Sequence, residues 1–312
     1  MEPGRDFRMV RIPEVPKMER RRAVKLVAAA IQMQCGLHDV PANLHKAEGY
    51  LRQAREAGAS VAVLPEMFNT GYGFCADYTP YAENGEGPTW RLLRARSREW
   101  NLAIAAGFVE RDGRHLHDSI GFATPDGQFH VYRKRNLVFW ERFRFYPGKS
   151  PLVVSTAIGR VGFAICADMI YKRVWSGYRN QIDLAIISAA WPDFADRETG
   201  KKHWLFGHVG PLSGEIPRQV ARDLGIGVIF SNQSGTTRTT IPVLKAQISD
   251  HFAGQSSVCD GLHGEFSQAR REEEVVLGTI TLHSSKGPKS WRSTSPSAPA
   301  EWSFASEPSS SE

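Results

Sequence analysis

Residues 161–168 read VGFAICAD, a short apolar run that ends in a cysteine and an aspartate. A run of this length with no helical spacing reads as a strand covered on both faces, with the Cys166 thiol at its C-terminal tip. Layered α/β folds carry their reactive groups at that end of a strand. The N–H of the next residue, Ala167, can there face a developing oxyanion. Taken alone, the same pattern reads more readily as a buried core thiol.

Outward from this stretch the pattern repeats. Residues 24–34 (VKLVAAAIQMQ) and 60–65 (SVAVLP) are further apolar runs, and between them Leu44, Ala47, Leu51 and Ala54 recur at helical spacing. A helix over 89–100 precedes a strand over 102–109. The turn Pro125-Asp126-Gly127 joins strands 119–124 and 128–134 into a hairpin. Strands at 151–155 and 161–166, a helix at 172–180, a strand at 183–189, a helix at 214–224 and a strand at 227–231 follow. Two or three further strands end at 279–282. Alternating helices and apolar strands, with hairpins mixed in, predict a layered fold of the α/β or α+β class. No internal repeat is evident. We expect one catalytic domain over 23–283, a basic and disordered arm over 1–22, and a disordered Ser/Pro-rich tail over 284–312.

Bulk composition excludes several classes. The chain has 312 residues, 41% hydrophobic and 23% charged, and no apolar run of the roughly 20 residues that cross a bilayer. The N-terminal residues lack the apolar core of a secretory signal, so the cytoplasm is the expected compartment. The net charge is +6, and residues 1–22 carry seven Lys/Arg against four Asp/Glu. A nucleic-acid or membrane role rests on that arm alone, and Met18 offers an alternative start that would remove it. The four cysteines, at 35, 75, 166 and 259, form no CxxC pair. They read as reduced thiols rather than metal ligands, and His203 and His208, spaced five apart, do not suit metal ligation on one helical face. Neither a metal nor a cofactor is expected.

Two more residues share the placement of Cys166. Glu66 stands just past the run VAVLP, where partial burial would raise its pKa toward neutrality and suit it to a general base. Lys134 lies in Tyr132-Arg133-Lys134-Arg135, between a hairpin and the long loop 136–148, so one lysine can reach over a cleft. Alone, Glu66 is as well a surface carboxylate, and the basic cluster a solvated face.

Together these stretches carry a resemblance. LPEMFNTGY around Glu66, YRK ending at Lys134 with Glu141 and Phe145-Tyr146-Pro147-Gly148 beyond it, and VGFAICAD around Cys166 are similar to the glutamate, lysine and nucleophile segments of carbon–nitrogen (nitrilase-like) hydrolases. The order and the separations of 68 and 32 residues agree. Leu116-His117-Asp118-Ser119, Ser231-Asn232-Gln233 and Phe252-Ala253-Gly254-Gln255-Ser256 extend the likeness over residues 24–282. The resemblance implies an αββα sandwich, commonly paired into homo-oligomers. It also implies a Glu66–Lys134–Cys166 triad acting on a small amide or carbamoyl substrate. Lys134 and the Ala167 N–H would form the oxyanion hole, and Glu141 would position substrate and lysine. Cys-Ala-Asp in place of the Cys-Trp-Glu of true nitrilases favours an amide over a nitrile. Ile170 stands where acid-binding members carry arginine, which puts a carboxylate clamp in doubt. Tyr72, Trp140 and Trp191 are candidate pocket walls and equally candidate core residues. Nitrile hydrolysis, N-acyl transfer and a silent binding protein of the same fold stay open as alternatives.

Overall fold

Leu26, Ala28 and Ala30 of the first strand join one apolar cluster, and Ala29 and Ile31 join another. A strand that is apolar on both faces needs cover on both. The computed structural model describes residues 23–193, 209–241 and 246–283. The arm, the tail, His203 and His208 lie outside them.

The described elements, in chain order, are β1 (Ala23–Gln32), α1 (Val40–Glu56), β2 (Val61–Val63), α2 (Pro88–Trp100), β3 (Ala103–Asp112), β4 (His115–Ala123) and β5 (Phe129–Arg133). Then come β6 (Val153–Thr156), β7 (Gly159–Ile165), α3 (Lys172–Ser176), β8 (Leu184–Ala189), α4 (Val209–Leu224) and β9 (Gly227–Asn232). The last are β10 (Thr236–Ile241), β11 (Ala246–His251), β12 (Ser257–Asp260), β13 (Phe266–Gln268) and β14 (Glu274–His283). One six-stranded sheet has the order β14-β1-β2-β3-β4-β5, the other β13-β12-β9-β8-β7-β6, and β10 and β11 pair as a separate hairpin. In each sheet the parallel pairs form the middle, β1-β2-β3 in one and β7-β8-β9 in the other.

The sheets pack face to face. Ala28, Val63, Ala105 and Phe122 of the first share a cluster with Phe163, Ile165, Ile186 and Ile229 of the second, and the Phe122 and Phe163 ring centroids are 5.3 Å apart. The outer face of the first sheet takes Ala47, Leu51 and Ala54 of α1 and Leu93 of α2. Val174 of α3 and Val220 of α4 belong to the cluster of the second sheet. The result is the expected αββα sandwich. Among the described residues no helix is long and apolar enough to cross a membrane.

Three expectations need correction. Among the described residues five strands, not two or three, follow Asn232. Those overlooked include Thr236–Ile241 (TTRTTI) and Phe266–Gln268 (FSQ), which hold little apolar pattern because they form a hairpin and a sheet edge. The helix expected over 172–180 ends at Ser176. The helix expected from 214 starts at Val209, with Gly210, Ser213, Gly214 and Pro217 on its buried side. A Cβ added at Gly214 would lie 2.5 Å from Gln268 Nε2, so the small residue permits close packing rather than marking a helix start.

Candidate active site

The C-terminal ends of β2, β5, β7 and β8 bring the three sequence-predicted residues and Glu141 together. Tyr132 and Lys134 are buried while Arg133 between them is not, the period-two alternation of a strand end. Arg133 turns outward to Glu110 at 2.6 Å, leaving Lys134 as the one buried cation of the basic cluster. The Lys134 ammonium donates to Glu66 Oε1 and to Glu141 Oε1, each at 2.7 Å, and lies 3.2 Å from Asp118 Oδ2. All four side chains are fully buried. Oxygens of Glu66, Asp118 and Glu141 lie within 4.8 Å of one another, a spacing suited to a cation, and the ammonium occupies that place.

Backbone donors complete the site. The Ala190 N–H, just past β8, donates to Glu66 Oε2 at 2.6 Å, and it also faces the Cys166 sulfur. The Val138 N–H donates to Glu141 Oε2 at 3.0 Å and the Tyr72 hydroxyl to Glu141 Oε1 at 2.9 Å. Gln233 Nε2 donates to the Glu66 carbonyl at 2.8 Å. Two glycines permit these approaches. A Cβ at Gly107 would lie 2.4 Å from Glu66 Cα, and one at Gly148, whose N–H donates to the Lys134 carbonyl at 2.7 Å, would lie 2.2 Å from the Arg133 carbonyl oxygen.

Cys166 opens a 3-10 turn (Cys166–Ile170) with φ of 45°, left-handed backbone that a non-glycine residue adopts at a cost of about 1–3 kcal/mol. Asp168 offsets that strain. Its Oδ1 accepts from Asn136 N–H at 2.9 Å and Asn136 Nδ2 at 2.6 Å, and its Oδ2 from the Tyr132 hydroxyl at 2.8 Å and Ile165 N–H at 3.1 Å. One buried carboxylate thus fastens the cysteine turn to the residues on both sides of Lys134. We expect Asp168→Ala to lower stability by about 1–3 kcal/mol, the usual cost of leaving buried hydrogen-bond donors without an acceptor. Asp168→Asn keeps the shape and should fall between; equal denaturation midpoints for all three proteins would remove this anchoring role.

Burial and local charge set the protonation states. Burial would raise the Glu66 pKa, but the Lys134 charge and hydrogen bonds from Asp118, Lys134 and Ala190 outweigh it and hold the carboxyl below the usual range. The sequence expectation of a raised Glu66 is therefore corrected: its burial is complete, but so is its pairing. Burial, with the negative charges of Glu66 and Glu141, pushes the Cys166 thiol well up despite Lys134 and the Ala190 N–H. Burial opposes the Lys134 charge, yet Glu141, Glu66 and Asp118 keep the ammonium protonated well beyond its ordinary range. The resting site pairs a neutral thiol with an ionised carboxylate.

Of the aromatic candidates, Tyr72 and Trp140 meet edge to face at 5.4 Å, and Tyr72 also reaches Phe252 at 6.2 Å. Trp191 is buried in the main core, its indole N–H donating to the Val209 carbonyl at 2.8 Å. Ala167 is buried beside Cys166, and Ile170 is exposed. Sequence reasoning missed the roles of Ala190, which acts through its backbone alone, and of Asp168. Asp118 stood inside a motif stretch without a role of its own.

Comparison with known proteins agrees with this architecture. A family described as carbon-nitrogen hydrolase matches residues 27–287. A nitrilase of Pyrococcus abyssi is 33% identical over 147 residues, 46% of this chain and 56% of the relative. A probable nitrilase of Schizosaccharomyces pombe is 28% identical over 54% of this chain, and the match spans only 65% of that relative. The omega-amidase NIT2 of Danio rerio is 29% identical over 77% of this chain and 83% of its own length. A solved CN-hydrolase superfamily protein of Xanthomonas campestris superposes with a TM-score of 0.66 at 24% identity, covering 82% of this chain and 91% of the other.

Proposed function

This chain belongs to the carbon–nitrogen hydrolase family, and we propose that it cleaves a non-peptide C–N bond of a small amide or N-carbamoyl compound through a thioester on Cys166. The observation that carries this reading is the fully buried Lys134 ammonium 2.7 Å from Glu66 Oε1, with the Ala190 N–H beside Cys166 donating to the other Glu66 oxygen at 2.6 Å. Glu66 takes the thiol proton as the sulfur attacks the carbonyl carbon. The Lys134 ammonium and the Ala167 N–H receive the oxyanion. As the tetrahedral species collapses, the C–N bond breaks and Glu66 returns its proton to the departing amine or ammonia. Glu66 then takes a proton from water, which adds to the thioester, and collapse releases the acid and the protonated thiol. Glu141, held by Val138 N–H and Tyr72, positions the ammonium. Tyr72 and Trp140 form the walls assigned to substrate in this reading, whereas Trp191 packs in the main core. With Ile170 in the arginine place, substrates without a carboxylate at that point fit better. We include assembly with further copies of the chain in the same proposal, on the strength of the resemblance.

Intact-mass spectrometry during turnover of a mixed library of amides and N-carbamoyl amines tests the proposal. An acyl mass that maps to Cys166 names both the nucleophile and the acyl group. Turnover with rapid quenching and no such adduct, or an adduct on another residue, would refute it.

A further inference from the structure

Three carboxyl groups surround a single ammonium in a site with no exposure to solvent, so ionising all three would leave two uncompensated negative charges. Burial at that charge is costly enough that a proton is retained instead. The hydrogen bonds decide which group retains it. Glu66 has the ammonium on one oxygen and the Ala190 N–H on the other, and Glu141 has the ammonium, the Tyr72 hydroxyl and the Val138 N–H. Neither oxygen of Asp118 accepts a hydrogen bond, although the side chain is fully buried and aimed at the same ammonium. An oxygen of Asp118 instead lies within 4.8 Å of one of Glu66, and two carboxyl groups this close share a hydrogen bond only when one of them carries a proton.

We propose that Asp118 is a positioning residue that stays protonated and donates a hydrogen bond to Glu66, keeping the base ionised and oriented until the Cys166 proton reaches it. The inference rests on the reading of Glu66 as the base. The groups that face Asp118 are Glu66 after β2, Lys134 after β5, Glu141 from the turn Phe139–Phe143, and Tyr78. Burial first, then the charge of Glu66, drives the Asp118 carboxyl well above the usual carboxylate range, against the pull of Lys134. A donated hydrogen bond stabilises the ionised form of Glu66, so its loss raises the proton affinity of the base.

Asp118→Asn keeps the shape and still offers an N–H to Glu66, whereas Asp118→Ala offers nothing. The acid limb of the kcat/KM profile, which reports the free enzyme, should coincide for wild type and Asp118→Asn. In Asp118→Ala it should move to higher pH by about one unit or more, the size of a charged hydrogen bond. Infrared difference spectra at neutral pH supply a readout that needs no turnover: the wild type should show the carbonyl stretch of a protonated carboxylic acid that Asp118→Asn lacks. Absence of that band overturns the proposal, as does an acid limb that moves as far in Asp118→Asn as in Asp118→Ala. A missing Cys166 adduct together with a present infrared band would sink the thioester reading and leave the protonated Asp118 standing.

Discussion

Cys166→Ala is expected to abolish hydrolysis and leave the protein folded. The thiol sits at the tip of β7, and its removal costs one sulfur of packing at a position already strained by its positive φ. Covalent chemistry, by contrast, has no substitute nucleophile in that place. Cys166→Ser should be nearly as inactive, because a hydroxyl is much harder to deprotonate than a thiol that is itself pushed up by burial and by Glu66. Rates for either variant below about a hundredth of wild type, with an unchanged circular dichroism spectrum, are the expected result. A higher residual rate means that the bond is cleaved without a thioester at this residue. Cys35 and Cys259 offer the internal control. Both are buried like Cys166, but the charges of Glu66 and Lys134 that act on Cys166 do not act on them, so neither has the base and the oxyanion partner of a nucleophile, and their alanine variants should turn over normally.

The contrast between these cysteines shows what was legible in the sequence. Cys166 was marked by its strand-end position and by motif partners 32 and 100 residues upstream, whereas periodicity alone would have left it in the core. The apolar strands of the two sheet centres were likewise readable, because parallel strands covered on both faces carry continuous hydrophobic runs. Strands β10 and β13 were not, since a hairpin and a sheet edge have no such requirement. The proton affinity of Glu66 was misjudged for a different reason. Its direction depends on a counter-charge from Lys134, 68 residues away, and on the backbone N–H of Ala190, 124 residues away. Burial can be guessed from a local stretch, but compensation of that burial is a long-range property. The same limit hid Asp168, whose partners Tyr132 and Asn136 flank the lysine rather than the cysteine.

Lys134→Met should be the most informative single change, because it removes a charge on which three buried carboxyl groups depend while keeping most of the side-chain length. As an oxyanion donor the ammonium is worth about 2.7–4 kcal/mol of transition-state stabilisation, a loss of roughly 10²–10³ in kcat. A second effect adds to it. Without Lys134, burial is no longer outweighed at Glu66, so the carboxyl that sat below the usual range moves above it and the base is protonated at neutral pH. Part of the lost rate should therefore return as the pH is raised. Stability must follow the same change with a definite sign. In the wild type, Glu66 has a folded pKa below its unfolded value of about 4.3, so its contribution is present above that pH and fades as the pH falls. In Lys134→Met the folded pKa lies above the unfolded one, the native state binds the extra proton, and the contribution of Glu66 declines as the pH rises from about 4.3 through the new value. Lys134→Arg separates charge from shape: a planar guanidinium restores the charge but does not fit a site that holds a compact ammonium at 2.7 Å from two carboxylates, so activity should stay low. Denaturation midpoints measured from pH 4 to 8, alongside kcat/KM, decide the matter. If Lys134→Met keeps wild-type activity and the wild-type slope of stability with pH, the ammonium sets neither the oxyanion nor the charge of Glu66.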